Sequence, residues 1–179
     1  MSISSFLTKK FLKSLFFPAH NRGKALPKGL IRLLKKQPGF WDLPELPEIG
    51  SPLSNSGLIH DAQISISKKV NSQKCFFGVN GASGLIQSGI IAMANPGEYI
   101  LMPRNVHISV IKACALQNII PIFFDIEFSK VTGHYLPITK KWFTNVFNNI
   151  DFDKTKIVGV ILVSPYYQGY ATDLEPLIK

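Results

Sequence analysis

Between residues 75 and 163 short apolar runs alternate with segments whose apolar residues recur at helical spacing, and few architectures accept that order. The runs fall at 75–79, 99–102, 119–124 and 157–163. The helix-like segments between them cover 83–94, 106–118 and 139–149. Strand, helix, strand, helix implies parallel strands joined by right-handed crossovers, so the class is α/β with a mostly parallel sheet. The punctuation agrees with these limits. Asn95-Pro96-Gly97 stops one helix and turns into a strand, and Thr139 is placed to cap another helix. Pro121 sits inside an apolar run and marks it as an edge or irregular strand.

Upstream the texture differs. Residues 18–57 carry six prolines and five glycines, which leaves room only for short elements such as a helical turn or two over 30–36. From residue 58 to 70, Leu58, Ile59, Ala62, Ile66 and Val70 share one helix face. The sequence therefore divides into a basic, Pro/Gly-rich arm over 1–57 and a globular part over 58–179. No internal repeat or low-complexity tract is visible.

The formal charge of +9 suggests a nucleic acid or membrane partner until it is located. Nine of the 20 basic residues lie in residues 1–41, which hold no acid, and the other 11 are matched by all 11 Asp and Glu beyond. The globular part is neutral, so the expected partners exclude nucleic acid. Phe6, Leu7, Phe11 and Leu15 recur near helical spacing among lysines, which leaves a transit or surface-seeking helix as an alternative for the arm. No apolar stretch approaches the roughly 18 residues of a membrane span. Cys75 and Cys114 form no metal-spaced cluster, so no metal site and a reduced, cytoplasmic setting are the defaults.

Three strand ends carry residues suited to chemistry. In FFGVNGASGLIQSGI (76–90) an apolar run enters Asn80-Gly81-Ala82-Ser83-Gly84 and then a helix. Small residues and free amides at a helix N-terminus form an anion site, although neither a Walker loop nor a dinucleotide fingerprint is present. The competing reading is a Gly-rich turn capped by Asn80 or Ser83. In MPRNVHISV (102–110), His107 follows a strand and would face the same crevice, while a lone histidine is more often a cap or a packing residue. In VSPYYQG (163–169), Ser164, Tyr166 and Tyr167 could reach that crevice too, unless the tyrosines simply pack. Together they suggest a phosphorylated small ligand at the carboxyl ends of parallel strands.

Five ordered strings, PAHNRGKALPKGL (18–30), WDLPELPEI (41–49), NGASG (80–84), MPRNVHISV (102–110) and VSPYYQGYATDL (163–174), resemble the motifs of the Orn/Lys/Arg decarboxylase family. The resemblance runs from about residue 18 to the end of the sequence. It implies the N-terminal part of the large domain of a fold type I pyridoxal-phosphate enzyme, a partial three-layer αβα sandwich. It further implies pyridoxal phosphate as cofactor and ornithine, lysine or arginine as substrate. By position, Gly81, Ala82, Ser83 and Gly84 resemble the loop that holds the cofactor phosphate, His107 the histidine that stacks on the pyridine ring, and Ser164 a further cofactor contact.

Departures accompany the matches. Ala19 stands where the family usually has Gly, and Ala82-Ser83 where it often has Ser-Thr, one hydroxyl fewer for the phosphate. The family's pyridine-pairing Asp and its Ser-x-His-Lys motif, whose lysine carries the Schiff base, are not found up to Lys179. The expectation is a decarboxylase part inactive alone, acting as a homo-oligomer or with a complementing C-terminal half. A non-catalytic ligand-binding or dimerisation relic is the alternative. A chain with these strands alone would leave an unpaired edge on the strand at 157–163 and should be insoluble or oligomeric.

Overall fold

The structure is a computed structural model, and it describes residues 23–178. Expectations about Ala19 and about the helical spacing of Phe6, Leu7, Phe11 and Leu15 fall outside the described residues. The chain forms two compact units that meet in sequence between Phe76 and Phe77.

The first unit holds α1 (Lys28–Leu34), a 3-10 turn at Pro38–Phe40 and α2 (Leu58–Lys69). Its Pro-rich stretch permits little else. The entry into α2 is set by backbone pairing: Leu58 N–H donates to the Glu48 carbonyl at 2.9 Å and Ile59 N–H to the Ile49 carbonyl at 3.1 Å. Gly57 makes this approach at φ +95°, where a Cβ would lie 2.8 Å from the Ile49 oxygen. Only glycine suits that position.

The second unit contains the sheet. In chain order it comprises α3 (Gly81–Met93), β1 (Tyr99–Pro103), α4 (Ile108–Gln117), β2 (Ile120–Phe124), β3 (Phe128–Ser129), β4 (His134–Tyr135), α5 (Lys140–Asn148), β5 (Ile157–Val160) and α6 (Glu175–Ile178). The three parallel strands run in the order β2-β1-β5. Tyr99 pairs with Ile120 on one side and Ile157 on the other, and a register irregularity between Tyr99 and Ile100 brings Ile100 opposite Gly159. A short 3-10 turn, Lys154–Lys156, leads into β5, with Lys154 Nζ 5.5 Å from the Phe147 ring centre and Lys156 Nζ 6.0 Å from that of Tyr99.

Alternation along β1 builds two cores. Ile100 and Met102 face Ile90 and Ala94 of the α3 side and Val110, Ala113 and Cys114 of α4. Leu101 faces the opposite layer with Ile122, Phe124, Ile126 and Ile138, against which Phe143, Val146 and Phe147 of α5 pack. Ile100, Leu101 and Met102 are all 0% exposed. Helices on both faces of a parallel sheet make the expected partial three-layer sandwich. Cys114 packs as a small apolar residue, and burial pushes its thiol pKa up.

Local chemistry explains the element limits. Thr139 caps α5 as expected, its hydroxyl accepting the Trp142 N–H at 3.2 Å. Asn118 ends α4 in the left-handed conformation at φ 53°, and its carbonyl accepts the Gly97 N–H at 2.8 Å, tying the two links into the sheet together. Pro121 lies on β2, which is an edge strand.

Two expectations are corrected, and one strand pair is added. Residues 75–79 form no strand: apolar composition marks a candidate, but a strand exists only by hydrogen bonding to a neighbour, and no described strand pairs with this segment. The strand expected over 157–163 ends at Val160, although Ile161 N–H still donates to Leu101 at 2.9 Å. The antiparallel pair β3–β4, turned at Gly133 with φ 70°, was not anticipated.

At Gly159 a Cβ would meet Met93 Sδ at 2.6 Å, the far end of a flexible side chain that can give way. Gly159→Ala is expected to destabilise the unit by no more than about 1 kcal/mol, the low end of overpacking. Adding Met93→Ala should recover most of that loss, and chemical denaturation of the two single variants and the double variant measures the coupling.

Candidate functional site

In a parallel sheet all strands present their carboxyl ends at one edge, and the helices that return to the next strand start there. α4 begins five residues beyond the end of β1, and Ser164 lies four residues beyond the end of β5. α3 ends shortly before β1 begins and packs beside α4, so its N-terminus belongs to the same edge. The three stretches singled out from sequence thus share one side of the sheet. No hydrogen bond among the described residues joins the Gly81–Gly84 loop residues, His107 and Ser164 to one another.

The helix at the first stretch starts at Gly81, two residues before the expected residue 83. Asn80 holds the N-cap position but makes no side-chain cap bond. The amides of Gly81, Ala82 and Ser83 therefore have neither an in-helix acceptor nor a capping oxygen, and all three residues are exposed. Gly81 takes φ +68° with open space around it, so backbone conformation rather than crowding requires glycine. Gly84 plays another part. Its N–H is the first that helix geometry pairs internally, and a Cβ there would sit 2.6 Å from Asn80 Cβ. Its smallness lets Asn80 fold over the first turn.

His107 is the N-cap of α4, the blander of the two readings its sequence position allowed. Its Nδ1 accepts the Ser109 N–H at 3.2 Å and lies 2.8 Å from Ser109 Oγ. An amide can only donate, so Nδ1 is the acceptor and the ring proton sits on Nε2. Ser109 is buried while His107 is exposed, which fixes the imidazole at one edge and leaves its faces open. A capping role and a stacking role are compatible in this geometry. Beside it, Arg104 Nε donates to Asp125 Oδ1 at 2.8 Å across the ends of β1 and β2. That exposed pair was not read from sequence, since nothing local relates residues 21 positions apart.

The third stretch forms a closed loop. Ser164 Oγ accepts the Thr172 N–H at 3.0 Å and donates to the Thr172 carbonyl at 3.3 Å. Within the loop Tyr166 N–H donates to Tyr170 and Gly169 N–H to Tyr166, both at 2.8 Å. The two adjacent tyrosines separate: Tyr166 is 3% exposed and belongs to the core under α5, whereas Tyr167 is 98% exposed. The expectation that Tyr166 reaches the crevice is therefore corrected, because its ring supplies apolar area to the second core. Burial raises the pKa of the Tyr166 hydroxyl, with Thr172 and the Ile138 backbone close enough to offset part of the rise. That hydroxyl makes no well-formed hydrogen bond among the described residues.

Thr172, buried, links this loop to the approach of α5 by accepting the Ile138 N–H at 3.2 Å. Sequence reading missed it. Its only signal is a Thr near the end of a strand-following loop.

Comparison with known proteins gives a consistent picture. The family profile described as Orn/Lys/Arg decarboxylase, major domain, matches residues 17–179. An arginine decarboxylase of Bacillus subtilis is 26% identical over 162 residues, 90% of this chain and 32% of that protein. Lysine decarboxylase LdcA of Pseudomonas aeruginosa is 25% identical over 134 residues, covering 75% of this chain and 16% of its own length. Among solved structures, the constitutive lysine decarboxylase of E. coli superposes with a TM-score of 0.64 at 18% identity, covering 92% of this chain and 24% of that one. The lysine decarboxylase LdcF of Francisella novicida gives 0.57 at 21% identity, covering 89% and 24%. These structural likenesses show a shared fold, that of the fold type I enzymes. The chain spans about a third of the curated arginine decarboxylases it matches.

Thr172→Val keeps the shape but leaves the buried Ile138 N–H unpaired, at a cost of about 1–3 kcal/mol. Amide exchange at Ile138 and proteolysis within residues 164–172 should both accelerate, while exchange at Leu101 in the central strand changes less.

Proposed function

Because the chain belongs to the Orn/Lys/Arg decarboxylase family, we propose that it forms the cofactor-phosphate side of a pyridoxal-phosphate-dependent decarboxylase of a basic amino acid. The observation that carries this reading is the first turn of α3, with three exposed amides and no side-chain cap, at the sheet edge it shares with His107. These residues fit the cofactor by their donor chemistry: uncapped amides and a helix dipole suit a phosphate dianion, and an imidazole anchored through Nδ1 suits an aromatic ring face.

In this proposal Gly81, Ala82 and Ser83 hold the phosphate through backbone N–H groups, with the Ser83 hydroxyl as one further donor. Gly84 keeps the turn narrow, and Asn80 stays off the amides because its side chain caps nothing. His107 holds the ring plane, its own orientation set by Ser109. Ser164 reaches the cofactor only by exchanging its bonds to Thr172, so its role is to shape the loop first and to touch the ligand second. Bound pyridoxal phosphate supplies the electron sink for loss of carbon dioxide; the protein supplies position and electrostatics.

The Schiff-base lysine of the family is assigned to no residue here. Lys154 and Lys156 stand beside aromatic rings at the start of β5, the opposite end of that strand from the proposed site. The working enzyme would be an assembly in which these 179 residues complete a site with the remainder of the family's length, in the same polypeptide or another, and a homo-oligomer is the expected form. Identity of the substrate among ornithine, lysine and arginine stays at the level of the class.

The 179 residues alone should release no carbon dioxide from any of the three amino acids and show no borohydride-stable cofactor at one defined lysine by mass spectrometry. Turnover together with such an adduct would sink the proposal. For the phosphate turn, Gly84→Asp should abolish pyridoxal-phosphate binding in a fluorescence titration by setting a carboxylate against the phosphate. Ser83→Ala should weaken it by only about 0.5–1.5 kcal/mol, the worth of one hydrogen bond. Gly84→Ala separates crowding of Asn80 from charge.

A further inference from the structure

Two polar residues of α2 are buried. Gln63 is 5% and Ser67 7% exposed, while Leu58 on the same helix and Val70 just past its end lie largely in the open. Each buried group has one hydrogen bond: Gln63 Nε2 donates to the Pro52 carbonyl at 3.1 Å, and Ser67 Oγ to the Ile64 carbonyl at 2.9 Å. A primary amide has four hydrogen-bonding sites and a hydroxyl three, so most of this capacity is not used by those bonds. Both side chains line a cavity of about 280 Å³ that lies wholly within the first unit. Asn55, His60 and Lys74 complete its polar wall, and Leu53 and Phe76 contribute to an apolar one.

We propose that this cavity binds a small organic carboxylate. The sign of the ligand follows from the lining, which includes one lysine, Lys74, and no Asp or Glu. The apolar wall calls for a hydrocarbon body rather than a bare anion, and the volume, at the low end of small-molecule sites, limits that body to a few carbons. Lys74 and the second Nε2–H of Gln63 donate to the carboxylate, and the hydrocarbon body lies along Leu53 and Phe76. A largely buried amide gains from a guest that accepts its second N–H. The proposal uses residues of the first unit alone and does not rest on the decarboxylase assignment.

The test is ligand-observed saturation-transfer NMR on the full chain, which tolerates any oligomeric state. Sodium butyrate is the probe, with butanol, butylamine and inorganic phosphate as neutral, cationic and bare-anion counterparts. Butyrate is expected to bind in preference to all three. Lys74→Ala should weaken it about three- to fivefold, as for a partly exposed ion pair, and Gln63→Leu should abolish it. Lys74→Glu, at an exposed position that should not disturb folding, should reverse the preference towards butylamine. No saturation transfer to butyrate, equal transfer to butanol or butylamine, competition by phosphate at equal strength, or butyrate binding indifferent to Lys74→Glu would each overturn the proposal.

Discussion

Everything in the second unit hangs on β1. It is the one strand of the three hydrogen-bonded on both sides, and its central residues are wholly buried on both faces. Ile100 and Met102 fix where α3 and α4 lie, and Leu101 fixes the layer that α5 covers. A continuous Tyr-Ile-Leu-Met run is what such a strand requires, because neither face meets water.

That dependence reaches the candidate site through geometry. The turn before α3, the cap of α4 and the loop after β5 come from separate parts of the sequence, yet parallel pairing to or crossing over β1 delivers them to the same edge. Their side chains are held by local bonds: His107 by Ser109, Ser164 by Thr172, and Arg104 by Asp125. The edge is thus assembled from independently braced pieces. A group held in this way, such as His107, needs little reorganisation to meet a ligand, whereas Ser164 would first have to exchange its bonds to Thr172.

Much of this was legible in the residues because it is local. Helical spacing located α4 and α5 to within two residues, Thr139 announced its own cap, and the Gly-rich stretch marked a helix start to within two residues. What could not be read is what depends on neighbours. Residues 75–79 look like a strand by composition, but strandhood is a property of a pair. Tyr166 and Tyr167 are identical in chemistry, and only the loop closed by Ser164 and Thr172 decides which one turns inward. The bond from Ile138 to Thr172 spans 34 positions, and no periodicity encodes it. His107 lay between the two cases: its position before a helix spoke for a cap, and the ring faces left open are visible only in three dimensions.

The lysines ahead of β5 bear on how that edge strand chooses a neighbour. Val158 and Val160 are exposed on a strand whose outer backbone has no partner among the described residues. Lys154 and Lys156 each lie near an aromatic ring at its entrance. If a second copy docked its own β5 in parallel register, lysine would face lysine across the roughly 4.8 Å that separates paired strands. A strand preceded by neutral or acidic residues meets no such repulsion. The edge therefore discriminates by charge at its entrance: it disfavours in-register stacking of like chains, the geometry of fibrils, while remaining open to a strand of different sequence.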